Sequence, residues 1–154
     1  MKRLGLPATV GILVLALGIG PAIAQSGHFV GRQTCRDIGT QVQCSGKVAG
    51  LGSTTFEIEV TAQGTATVEC TNPGGNVAPG QTKTVTVSGS SGPLATPRNG
   101  QYRYTVTSEA PSAPEGACPN PQWTATVTDV SFTTATITLR EGGTVSDQVT
   151  VPVS

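Results

Sequence analysis

Over residues 55–61, apolar Phe56, Ile58 and Val60 alternate with polar Thr55, Glu57, Glu59 and Thr61. A period of two gives one dry face and one wet face, which is the signature of a strand and not of a helix. The alternation resumes beyond Ala62-Gln63-Gly64, where Ala66, Val68 and Cys70 face Thr65, Thr67 and Glu69. Residues 56–70 therefore read as a hairpin that turns at Ala62-Gln63-Gly64 and ends with Cys70 facing inward.

The same period recurs along most of the chain. Val42 and Cys44 share a face in a strand over 42–49, Val85 and Val87 mark another, and Tyr102, Tyr104 and Val106 a third. Further on, the inward set is odd at Trp123, Ala125 and Val127, even at Val130 and Phe132, and odd again at Ala135, Ile137 and Leu139. Such slips require a bulge, a bend or a tight connection near Thr128-Asp129 and near Thr133-Thr134, and two strands are expected there. Glu141-Gly142-Gly143 makes the last hairpin turn, and Val149, Val151 and Val153 share a face of the closing strand over 145–153. Pro152 lacks an N–H donor and marks a sheet edge or strand end. Proline and glycine crowd the loops 71–80, 88–100 and 109–121, and nowhere beyond the N-terminal segment do apolar residues recur at helical spacing. The class is all-β: seven to nine short strands with long polar loops form an immunoglobulin-like two-sheet antiparallel β-sandwich, with a small barrel as the alternative.

The N-terminus has the three parts of a secretory signal. Lys2 and Arg3 supply the charge, residues 10–19 are apolar, and Ala22-Ile23-Ala24 is a small-residue cleavage site. The apolar core is shorter than the roughly 20 residues of a membrane span. Residues 1–24 are thus expected to be removed, leaving 25–154 as a single secreted domain that opens with a loose lead-in over 25–31. No cysteine follows the cleavage site and no apolar tail follows the last strand, so neither a lipid anchor nor a second membrane segment is expected. Extracellular release is the expectation, or periplasmic release in an organism with an outer membrane.

All four cysteines, Cys35, Cys44, Cys70 and Cys118, follow this segment, so disulfides are expected. Cys35 and Cys44 bracket a hairpin-sized segment. Cys70 and Cys118 open two related corners, Cys70-Thr71-Asn72-Pro73 and Cys118-Pro119-Asn120-Pro121. Pairing in that order would stabilise the fold by about 2.7 and about 4 kcal/mol through loop entropy. A zinc site is excluded by the absence of any Cys-x-x-Cys and by a single histidine, His28.

The corners carry a resemblance. Cys70-Thr71-Asn72-Pro73-Gly74-Gly75-Asn76 with Pro79-Gly80, and Cys118-Pro119-Asn120-Pro121 followed by Trp123, are similar to segments of small secreted bacterial proteins. The resemblance covers about residues 42–139, and it implies a compartment and a fold but no activity.

The remaining residues exclude more chemistry than they suggest. Without Lys2 and Arg3 the mature chain is slightly acidic, and its cations are scattered in sequence, so neither nucleic acid nor a membrane surface is an expected partner. His28 lies in the lead-in, too loosely placed for a general base. Glu57, Glu59 and Glu69 read as wet-face residues. Asp129 with Glu141 or Asp147 is the best cation cluster and a weak one. No catalytic residue, metal or cofactor is expected. Gly74-Gly75 lacks the Lys and helix of a phosphate loop and reads as turn geometry. Tyr102, Tyr104 and Trp123 are expected to pack in the core, since few other bulky side chains exist to fill it. Asn72, Asn76 and Asn120 form the candidate loop surface.

The function these features imply is a non-enzymatic extracellular binding or assembly module, with an unidentified protein or glycan as partner. Assembly would proceed through the edge of the 145–153 strand. The alternatives are a carbohydrate-binding or metal-dependent protein with a loop site, and a protease inhibitor presenting the proline-rich loop 109–121.

Overall fold

The computed structural model describes residues 27–154. The expected signal over 1–24 and the first residues of the expected mature chain lie outside them. Nine strands follow in order: β1 (His28–Asp37), β2 (Val42–Ala49), β3 (Thr55–Thr71), β4 (Val77–Pro79), β5 (Lys83–Ser90), β6 (Leu94–Ala95), β7 (Tyr102–Thr107), β8 (Thr124–Glu141) and β9 (Thr144–Pro152). They form a two-sheet antiparallel β-sandwich with no helix among the described residues. One sheet has the order β1-β2-β7. In the other, β3 pairs with β8 and β8 with β9, while β6, β5 and β4 line the opposite edge of β3 in turn.

The long sheet is built on a single ribbon. Residues 56–70 are not a hairpin: β3 runs unbroken for 17 residues, and every even position from Phe56 to Cys70 is buried. The reason lies at Gly64. A Cβ there would stand 2.5 Å from Val130 Cγ1 and 2.8 Å from Phe132 Cδ1. The glycine marks a close approach of two strands, not a turn.

The two strands expected over 123–139 are likewise one, β8, and both phase slips are bulges inside it. Thr67 pairs with Asp129 and Val68 with Val127, which leaves Thr128 as the extra residue. Ala62 pairs with Ala135 and Gly64 with Phe132, so Gln63 alone faces Thr133 and Thr134. Each bulge returns the apolar set to the core, and that is how a strand this long stays in register with its partner. Gly142 and Gly143, both at positive φ, close the hairpin into β9.

Val48, Ile58, Val60, Val68, Val130, Ile137 and Leu139 are fully buried between the sheets. Each contributes about 1.5–3 kcal/mol relative to exposure. Tyr104 is buried, and half-buried Tyr102 packs edge-on against Phe56 with ring centroids 5.1 Å apart. Trp123 is half-buried against the same core.

Both expected disulfides are present. Cys35–Cys44 joins directly opposed residues of β1 and β2, with 4.1 Å between Cα atoms. Cys70–Cys118, with 5.7 Å between Cα atoms, ties the loop before β8 to the end of β3. Both sides of the sandwich are also laced by backbone bonds. On one side Asp37 N donates to Ser154 O and Ser154 N to Cys35 O, at 2.9 and 3.1 Å. On the other, Glu109 N donates to Ser88 O at 2.8 Å. The sheets approach closure there but remain two.

The expected loose lead-in is instead ordered from Gly27 onward. Residues 28–31 belong to β1, Gly27 N donates to Glu141 Oε2 at 3.0 Å, and Phe29 N donates to Asp147 Oδ2 at 2.9 Å. Carboxylates on β8 and β9 draw the first strand into place, so its order comes from distant charged acceptors that local composition does not reveal.

Candidate binding face

The site begins with an irregularity in β1. Val30 pairs with Lys47 and Thr34 with Ser45, so Gly31, Arg32 and Gln33 bulge out opposite Gly46. Gly31 supplies the positive φ, at 69°. Gln33 points inward, and its Nε2 donates to Val30 O and Gly31 O at 3.0 and 3.1 Å, closing the bulge on itself. Its Oε1 accepts from the Tyr104 hydroxyl at 2.7 Å and from Lys47 N at 3.3 Å. Gly46 leaves the necessary room, since a Cβ there would stand 1.8 Å from Gln33 Oε1. Burial pushes the Tyr104 phenol well above its ordinary pKa, so it remains a hydrogen-bond donor.

With Gln33 locked inward, Arg32 is turned out to solvent. It joins Arg36 from β1, Lys47 from β2 and Arg103 from β7 on the outer face of the short sheet. Lys47 and Arg103 are directly opposed across the β2–β7 pair. Like charges in that relation are destabilising. The only carboxylate on these three strands is Asp37, whose oxygens accept from Gly39 N and Phe132 N and so turn toward the other sheet. Among the described residues the only ion pair joins Arg140 to Glu59, on the long sheet.

Hydroxyl and amide groups lie between the cations. Thr34 and Ser45 hydroxyls bond across the strands at 3.2 Å, and the Arg36 guanidinium donates twice to Gln43 Oε1, at 2.9 and 3.2 Å. Two shallow depressions meet at Thr34 and Ser45. One continues to Arg32 and Arg103, the other to Arg36, Gln43 and the C-terminal Ser154. Together they make an open trough along β1 and β2 with a cation at each end.

The opposite outer face has the reverse polarity. The outer face of the long sheet carries Glu57, Glu59, Glu69 and Asp129 with Arg140. Between its acidic ends lies an uncharged field in which Thr61, Gln63 and Thr65 stand beside Ser88, Thr86 and Thr84.

One carboxylate is buried. Glu141 accepts from Gly27 N, Gly52 N, Ser53 N and the Ser146 hydroxyl, at 3.0, 2.7, 3.2 and 2.5 Å. Burial favours its neutral form, but the Ser146 hydroxyl and the three amides outweigh that and hold the carboxyl below its ordinary pKa. A carboxylate saturated in this way is a structural clamp joining the chain before β1, the β2–β3 loop and β9. It is too far from Asp129 for the two to share a cation: 12 residues of one strand separate them, about 40 Å. No cluster among the described residues has the ligand set of a metal site.

The sequence-derived loop residues are turn formers. Asn72 Oδ1 accepts from Asn76 N at 2.9 Å while Asn72 N donates to Asn76 O at 3.0 Å, which closes the β3–β4 tip. Asn120 Oδ1 accepts from Gln122 N at 2.9 Å. The Cys70–Cys118 bridge brings both corners to one end of the ribbon. His28 is exposed on β1. The four cations of the short sheet escaped the sequence reading because they are far apart along the chain. The available signal was parity, since Lys47 and Arg103 alternate with the inward residues of their strands.

No protein-family model and no curated protein matches the chain. Among solved structures, it is similar to part of a calcium-binding mutant of Bacteroides uniformis β-glucuronidase 2, with 17% identity and a TM-score of 0.31, covering 81% of this chain and 14% of that one. The chain thus spans about a seventh of the length of that enzyme.

Proposed function

We propose that this domain is a secreted, non-catalytic binding module that engages its partner across the outer face of the β1-β2-β7 sheet. The observation that carries this reading is the gathering of Arg32, Arg36, Lys47 and Arg103 on one face, with Lys47 and Arg103 directly opposed. A repulsive pair kept in the middle of a sheet costs stability unless an anionic partner occupies the face. The loops support the reading less, because the Asn72 and Asn120 side chains hold their own turns. β1 meets the outer side of β9 at the Asp147 carboxylate and at Ser154 beyond the strand's end, which leaves less free edge for strand-mediated assembly than the sequence implies. The two disulfides fit an extracellular setting, and no described helix is long and apolar enough to cross a membrane.

The test is an array of extracellular polymers and peptides probed with the native protein, a Lys47→Glu/Arg103→Glu variant and an Asn72→Ala/Asn76→Ala/Asn120→Ala variant. Signals are expected to fall in the first variant and persist in the second. The reverse pattern would move the site to the loops. The size distribution of any bound polymer, followed by size-exclusion chromatography, is expected to stay unchanged, and shortening would overturn the non-catalytic assignment.

A further inference from the structure

Resting on the reading of this sheet as the working face, we infer that its partner is an acidic polysaccharide whose carboxylates lie along the trough between Arg103 and Arg36. Three features select that class. The first is spacing. Arg36 faces Gln43, and Lys47 lies four residues further along β2, so the two cationic ends are about 13 Å apart. That separation spans several sugars of one extended chain, so carboxylates of non-adjacent residues on the same chain can meet both ends. A second copy of this protein is a poor fit, because the acidic ends of its long sheet, at Glu59 and Glu69, are ten residues or about 33 Å apart. Glu59 is also already paired with Arg140.

The second feature is the composition between the charges. Thr34, Ser45 and Thr105 offer donors and acceptors to sugar hydroxyls, while the planar guanidinium groups of Arg32 and Arg103 can grip a carboxylate through two parallel bonds. The third is the direction of the rings. Tyr104 faces the core with its hydroxyl committed to Gln33, and Tyr102 packs on Phe56. The face therefore offers no ring for base stacking, which single-stranded nucleic acid would require, and none for a neutral sugar plane. A flat cationic sheet with interleaved hydroxyls is matched by charge and hydrogen bonding together.

The experiment is affinity electrophoresis of the full mature chain in native gels containing polygalacturonate, its fully methyl-esterified form, polyphosphate or DNA. The inference expects retardation by polygalacturonate and none by the ester. Raising the salt to about 0.5 M is expected to abolish it, because screening then acts within a few ångströms. Lys47→Glu/Arg103→Glu should weaken binding on the order of thirty-fold, as two exposed attractions become two repulsions. Lys47→Gln/Arg103→Gln should fall between. Melting curves establish that each variant is folded, and the Gln pair keeps the test open if the Glu pair is not.

Equal retardation by the methyl ester would overturn the role of charge. Stronger retardation by polyphosphate or DNA that is still lost in the Glu pair would overturn the polysaccharide and leave the sheet-face reading standing. Polygalacturonate binding that survives charge reversal but fails in Asn72→Ala/Asn76→Ala/Asn120→Ala would overturn both. No retardation in any gel would overturn the polysaccharide alone.

Discussion

The two sheets of this sandwich solve different problems. The long sheet is held by an unbroken row of buried side chains on β3 facing the same from β8, corrected twice by bulges, with its outward positions given over largely to threonine. The short sheet has less apolar surface to bury. It is fastened by a cross-strand disulfide and by the Gln33–Tyr104 hydrogen bond, and it carries charge that its own neighbours do not neutralise. The difference teaches that apolar burial and unpaired surface charge are divided between the layers: one sheet buries the long alternating row, and the other keeps a repulsive pair on the surface that we propose to be the recognition face.

The largest expected effect attacks the clamp through which the long sheet holds both the chain before β1 and the β2–β3 loop. Glu141→Ala leaves three backbone amides and a hydroxyl without their acceptor and should cost about 3–5 kcal/mol in urea unfolding. The pH dependence follows with a definite sign. Because the folded carboxyl titrates below its ordinary value of 4.5, its contribution is present above that pH and is lost as the pH falls through the lower folded value. Glu141→Gln should flatten that acid limb, and an unchanged limb would remove Glu141 from the account.

Next come the disulfides, which compare the layers directly. Replacing Cys70 and Cys118 with alanine should cost about 4 kcal/mol, and replacing Cys35 and Cys44 about 2.7 kcal/mol, by loop entropy. Denaturant midpoints measured under identical conditions give the order. A reversed order would show that the short sheet depends on its bridge more than chain entropy explains.

A smaller effect is expected at the bulge. Tyr104→Phe removes a donor from buried Gln33 Oε1 and should cost about 1–3 kcal/mol. It should also weaken ligand binding, because the Gln33 lock is what turns Arg32 outward. The smallest effect has the opposite sign. Lys47→Glu replaces a repulsive cross-strand pair with an attractive one and should raise stability by about 0.2–1 kcal/mol while lowering binding. A stabilised variant that binds as well as the native chain would break the division between the layers.

Much of the architecture was legible because alternation is a local signal. The inward residues of β3, β5, β7, β8 and β9, both bulge positions and both disulfides could be read from the chain. Two boundaries were misread for one reason. Gly64 and the slips in β8 look like turns in one dimension, whereas in the folded sheet they are accommodations between neighbouring strands, and only the partner reveals that. Glu141 was illegible for a similar reason: a glutamate before Gly-Gly reads as a solvated turn residue until its donors arrive from Gly27, Gly52 and Ser53. The cationic face was hidden by distance along the sequence. Arg32 and Arg103 belong to different ends of the chain, and the β2–β7 pairing together with the Gln33 bulge is what brings them onto one surface.

The most direct test of that surface is residue-resolved. A ¹⁵N–¹H NMR titration of the mature protein with short galacturonate oligomers is expected to shift the amides of Arg32, Thr34, Ser45, Lys47, Arg103 and Thr105, while Thr61, Thr65, Asn72 and Asn120 stay fixed. Shifts confined to the long sheet or to the two corners would contradict the account.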